Sequence, residues 1–118
     1  LSGTDDLLVQ IGDAGGIEAT VYLSESALVG ASTGISTSTI GFVIRVSSAA
    51  RVYSGILSLV LHNSATFTWC ETHSGRVDSS FINTGGGIKS LSAALTTVRL
   101  TRTGTDTFDA GAINILYE

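Results

Sequence analysis

The densest run of chemically competent side chains is Trp69-Cys70-Glu71-Thr72-His73-Ser74-Gly75-Arg76-Val77-Asp78. Three chemistries fit its residue types. Cys70 and His73 would serve as a thiolate and its base, but that chemistry needs a third group to orient the base, and a free Cys commonly behaves as a small hydrophobe. Cleavage of a polysaccharide needs two carboxylates facing each other across a cleft. Glu18, Glu71, Asp78 and Asp109 are available, and no spacing selects a pair. The third chemistry is binding: the ring of Trp69 or Tyr53 as a plate for a sugar, with Glu71, His73, Arg76 and Asp78 hydrogen bonding to its hydroxyls. Tyr53, Trp69, Glu71, His73, Arg76 and Asp78 are therefore the candidate ligand-binding residues. The competing reading makes Trp69 part of the core and the charged run a solvated turn.

Other candidates are weaker. Calcium takes six to eight oxygens, and neither Asp106, Asp109 and Asn114 nor Asp5, Asp6 and Asp13 matches an EF-hand loop. Asp106 and Asp109 read better as turn residues that accept backbone N–H bonds. His62, at the end of an apolar run, reads as a core or edge histidine. No catalytic residue, metal ligand or cofactor is assigned.

The elements that must position these groups are strands. With 118 residues the chain is long enough for one domain with a real core. It has 14 Gly, no Pro and no Met, and Ser plus Thr make up about a quarter of it, a composition of strands joined by turns. The single Cys70 closes no intramolecular disulfide and has no zinc-ligand spacing. Net charge is −4, and the six basic residues are scattered, which excludes an electrostatic footprint for nucleic acid. No stretch approaches the roughly 20 apolar residues of a membrane helix, so membrane insertion is not expected. The beginning at Leu1, without Met or a signal pattern, predicts a piece of a longer polypeptide.

Leu7–Ile11 and Ile17–Leu23 flank GDAGG and read as a hairpin, with Ile17, Ala19, Val21 and Leu23 on one face and Tyr22 on the other. SESALVGASTGISTST reads as a long loop and a candidate functional excursion. Ile40–Val46 follows as a strand. Val52–His62 is the longest apolar run and reads as a central strand with a bulge at Gly55. It sets Leu57, Leu59 and Leu61 against Ile56, Ser58, Val60 and His62. Ala65–Thr72 pairs with it, and Val77–Ile82 comes next. NTGGG reads as a flexible turn, and Ile88–Leu95 fits a helix as well as a broken strand. Thr97–Thr103 alternates cleanly, and Ile113, Ile115 and Tyr117 share one parity, which predicts a paired closing strand. Eight or nine strands in an antiparallel two-sheet, jelly-roll-like sandwich result, with an Ig-like sandwich as the alternative.

The unit VRLTRT-GTD-TFDAGAINILYE, with LLVQIGDAGGIEATVY and GFVI…RVYSGILSLVLHNSATFTW, resembles the carboxyl-terminal module of bacteriophage tail fibres, tailspikes and related virion appendages. That resemblance implies a β-sandwich at the distal end of a fibrous chain in the virion, a homotrimer that trimerises and attaches to host surface polysaccharide or lipopolysaccharide. A purely structural trimerisation cap or head-decoration domain is the second implication, and a polysaccharide-degrading domain the third. No catalytic residues carry over from it. It also predicts that deleting Ile113–Glu118 removes the fold.

Overall fold

Side chains in a strand alternate between faces, so short mixed runs bounded by Gly, Asn and Asp bury one face each. The computed structural model, which describes residues 1–117, places nine such strands: β1 Leu7–Asp13, β2 Gly16–Ile17, β3 Leu23–Val29, β4 Thr33–Ser38, β5 Phe42–Ile44, β6 Tyr53–Asn63, β7 Thr68–Val77, β8 Phe81–Ser90 and β9 Thr97–Arg102. All pairings are antiparallel. In the first sheet β1 pairs with β9 along one edge and with β5 and β2 along the other. The second runs β4-β3-β8-β7-β6. The protein is an all-β, two-sheet sandwich.

Val9, Ile11, Tyr22, Phe42 and Leu91 form the buried centre, with Leu57, Leu59, Phe67, Trp69, Leu95 and Leu100 packed around it. Tyr22 and Phe42 meet edge to face, ring centroids 5.0 Å apart, a geometry that aromatic quadrupoles favour. The first sheet's free edge is closed by hydroxyls of the second. Ser24 Oγ accepts the Val43 N–H and Ser26 Oγ the Arg45 N–H, both at 2.9 Å. Beyond β5, Asp6 Oδ1 accepts the Val46 and Ser47 N–H groups at 2.8 and 3.0 Å.

Five local expectations are corrected. The serine-rich stretch is no loop: it forms the β3–β4 hairpin, because Ser24 and Ser26 are short enough to sit beneath β5 and bond its backbone. NTGGG is no turn: it lies in β8, where the inner face must leave room for neighbours. A Cβ on Gly85 would strike the His73 ring, and one on Gly87 would lie 2.8 Å from Phe42. The Ile17–Leu23 strand shrinks to Gly16–Ile17, and its parity is reversed: Tyr22 is 0% exposed while Val21 is 78% exposed. The Tyr22 hydroxyl explains this, since it accepts the Ile11 N–H at 2.9 Å and donates to the Glu18 carbonyl at 2.7 Å. β6 keeps its expected face division but is an edge strand, paired with β7 alone; its irregularity falls at Leu61/Asn63, while Gly55 makes room for the Tyr53 hydroxyl.

The fifth correction concerns the closing strand. Residues after Asp109 belong to no strand, and Ile113, Ile115, Leu116 and Tyr117 are exposed. The sandwich does not draw on Ile113–Tyr117; Glu118 lies outside the described residues.

Val21 and Tyr22 give opposite predictions. Val21 sits at φ 60°, a left-handed conformation that costs an L-residue about 1–2 kcal/mol and is worst for β-branched side chains. Val21→Asn is expected to stabilise the protein by about 1 kcal/mol, and Tyr22→Phe to destabilise it by about 1–3 kcal/mol by orphaning the Ile11 N–H. Urea denaturation of both variants checks the two signs.

Candidate functional site

The run Trp69–Val77 lies within β7, a strand between β8 and β6, and not in a turn. Alternation therefore divides the candidates. Trp69, Glu71 and His73 point between the sheets; Cys70, Thr72, Ser74 and Arg76 point out. Asp78 lies beyond the strand at φ 56°, where its carboxylate accepts the Val52 N–H at 2.9 Å. Arg76 donates to the Ser79 carbonyl at 2.8 Å. Tyr53 lies on the inward face near Glu71. Burial raises its phenol pKa above the ordinary value, and the Glu71 charge adds to the rise. Trp69 is half-buried against the core. The structure thus brings Tyr53, Trp69, Glu71 and His73 to the inner face and separates them from Arg76 and Asp78.

On that inner face stands a relay that sequence reasoning missed. His73 Nδ1 lies 2.5 Å from Glu71 Oε1, and His73 Nε2 lies 2.9 Å from Ser26 Oγ. Ser26 Oγ accepts from two donors, so its own proton points to Nε2, which accepts it, and the ring proton then sits on Nδ1 toward Glu71. This is the connectivity of a serine nucleophile, its base and the orienting acid. The surroundings assign it a different task. Ser26 Oγ also accepts the Arg45 N–H at 2.9 Å and the Asn83 side-chain amide at 3.2 Å. Both lone pairs of the oxygen are engaged, and Ser26, Glu71 and His73 are 1%, 1% and 3% exposed. A nucleophile needs a free lone pair facing its substrate; here the hydroxyl joins β3, β7, β8 and the chain after β5. Ser26 and Asn83 were hidden because their stretches read as loop and turn. The one signal was the period-2 spacing of Ser24, Ser26 and Leu28.

A second polar cluster closes one end of the sandwich. The buried Lys89 Nζ donates to the Thr20 carbonyl at 2.7 Å and pairs with Glu18 at 3.0 Å. Glu18 accepts the Ser92 N–H at 3.0 Å, and the Ser92 hydroxyl donates to Asp13. That hydroxyl, followed by the Gly15 N–H, holds the Asp13 carboxyl below its ordinary value of 3.8. Among the described residues no group of three or more His, Cys, Asp or Glu is placed to hold a metal ion. Asp5 and Asp106, once grouped with calcium ligands, instead cap each other: each carboxylate accepts the other's backbone N–H at 2.9 Å.

The largest surface feature is the outer face of the second sheet. Leu23, Val29, Ile35, Ile56, Val60 and Ile82 stand exposed on it. Among the outward positions of its five strands only Glu25 and Arg76 are charged. Gly86, without a side chain, helps form a shallow depression of about 630 Å³ bordered by Leu23, Ile35, Thr37 and Thr84. Set against family models, curated proteins and solved structures, the chain matches none.

Two outcomes check the polar clusters. Ser26→Ala strips the Arg45 N–H of its acceptor and the Asn83 amide of one of its two and is expected to destabilise the fold by about 1–3 kcal/mol, read by urea denaturation; a fluorophosphonate probe should leave Ser26 of the folded protein unlabelled. Because the folded Asp13 pKa is lowered, its contribution is full above pH 3.8 and is lost as pH falls through the lowered value. The stability gap between the native chain and Ser92→Ala should therefore be widest above pH 4 and narrow in acid.

Proposed function

We propose that this domain is an assembly module, the homotrimeric terminal β-sandwich of a bacteriophage tail fibre or tailspike exposed on the virion. The observation that supports this reading best is the set of exposed apolar side chains, Leu23, Val29, Ile35, Ile56, Val60 and Ile82, on the outer face of the β4-β3-β8-β7-β6 sheet, whose outward positions carry only two charges, Glu25 and Arg76. The row Thr37, Glu25, Gly86, Thr72 and Ser58 crosses between the apolar rows, so the surface offered is mixed, as interfaces between separately folded partners are. Five strands spaced about 4.8 Å apart, from roughly 20 Å for the 6-residue β4 to roughly 37 Å for the 11-residue β6, present on the order of 700 Å² in all, close to the roughly 800 Å² per partner of a standard stable interface.

Of the functions implied by the resemblance, assembly is favoured over glycan capture. Sugar recognition uses aromatic plates and hydroxyl-binding groups on one accessible surface. Trp69, Glu71 and His73 are turned inward, away from Arg76 and Asp78. The module therefore acts as a cap that registers three chains.

Sedimentation equilibrium is expected to give a trimer at micromolar concentration. Val60→Lys on the outer face should shift it to monomer while leaving the urea midpoint of the monomer unchanged. Cys70, on the same face, should be alkylated more slowly in the assembled protein. A wild-type chain that sediments as a monomer overturns the proposal.

A further inference from the structure

We propose that Ala110–Tyr117 of one copy adds as a strand to the free edge of β6 in a neighbouring copy, turning Ile113, Ile115 and Tyr117 toward the apolar cleft beside Trp69. This inference deepens the assembly reading above and rests on it.

The acceptor is β6. It runs 11 residues as the outermost strand of its sheet and is paired only with β7. Exposed edges are normally blunted by Lys, Pro, inward charges or short length. Tyr53–Asn63 contains no Pro and no Lys, Arg, Asp or Glu. Its inward side chains Leu57 and Leu59 are only half-buried, and Leu61 is exposed. Leu61 continues into a cleft of about 330 Å³ lined also by Phe67, Trp69, Ala94 and Leu95. Edge and cleft together offer unpaired backbone groups beside unfilled apolar volume.

The donor has the matching pattern. Ala110–Tyr117 is uncharged and free of Pro, and it alternates Ile113, Ile115 and Tyr117 against Asn114 and Leu116. Leu116 and Tyr117 are 90% and 89% exposed, and the segment belongs to no strand. Eight extended residues span roughly 26 Å, which fits within the roughly 36 Å of an 11-residue strand. Strand addition satisfies main-chain donors and acceptors on both sides, while alternate side chains fill pockets.

A second copy is the occupant because of how the chain leaves the sandwich. Asp5 and Asp106 cap each other, the Ser2 N–H donates to the Thr107 carbonyl at 3.0 Å, and Arg102 donates to the Asp106 carbonyl at 2.7 Å. These bonds tie residues 106–107 to the stretch before β1, on the first sheet, whereas β6 edges the second. Each copy carries one donor segment and one acceptor edge, so copies can be joined donor to acceptor, head to tail, in a contact that closes into a ring when the rotation allows. The trimer proposed above is such a ring of three.

The test uses two full-length chains, both Cys70→Ser, one with Ser58→Cys and the other with Asn114→Cys, mixed and treated with a bis-maleimide. A covalent product containing one copy of each chain is the expected result. A chain carrying both cysteines that links only within itself overturns the inference, as does a mixture that is assembled by sedimentation yet unlinked. A mixture that sediments as monomer overturns the assembly reading as well, so the two failures are distinguishable. Independently, a chain ending at Asp109 should keep the urea midpoint of the monomer and lose at least tenfold in association; unchanged association overturns strand addition.

Discussion

The two sheets are joined at the hydroxyl of Ser26. A sandwich whose first sheet ends in a short strand faces a difficulty: the outer edge of β5 carries backbone N–H groups that are buried by the second sheet, and each would cost about 1–3 kcal/mol if left unpaired. Ser24 and Ser26 accept them. Longer side chains at these positions would hold the sheets apart, and apolar ones would leave the donors unmet. Ser26 is itself held by His73 and Asn83, and His73 by Glu71. The acid, the imidazole and the hydroxyl thus form a structural chain running from β7 to β5.

That chain decides much of what surrounds it. The His73 ring occupies the volume over β8 that Gly85 leaves open, and Phe42 the volume over Gly87. Ser26 Oγ is saturated, which turns a triad-like connectivity into a fastener, while Glu71 Oε2 and Asn83 Oδ1 of the same network are buried without a hydrogen-bond partner. The outside carries a sheet face with two charges among its outward positions, an unblunted edge and an exposed apolar segment. The first two belong to one sheet and the third leaves from the other, an arrangement that favours contacts between copies.

The alternation of β6 and β7 was legible in the sequence, because period-2 patterning survives where one face is turned inward and the other is wet. Three elements were not. The β3–β4 hairpin and the glycine run of β8 carry loop-like residues whose presence in strands follows from neighbours packed against them, and that information lies in other strands, at Arg45 and His73 for Ser26 and at His73 and Phe42 for Gly85 and Gly87. The segment Ile113–Tyr117 has the pattern of a strand but pairs with no strand among the described residues, since periodicity states which faces are apolar and not whose edge they meet. The residues of Trp69–Asp78 were read as one surface; the parity of β7 splits them between two.

By itself the sequence determined the class of structure and the character of its faces. Abundant Gly, Ser and Thr, the absence of Pro and the short alternating runs make strands and turns. These are local properties, set by backbone sterics and side-chain period. Only the tertiary structure decided which polar groups meet, that Ser26, His73, Glu71 and Asn83 converge, that Tyr22 rather than Val21 is buried, and that β6 is an edge. The reason is physical: burial and hydrogen-bond satisfaction are properties of pairs of distant segments, and no single stretch of chain contains both members of the pair.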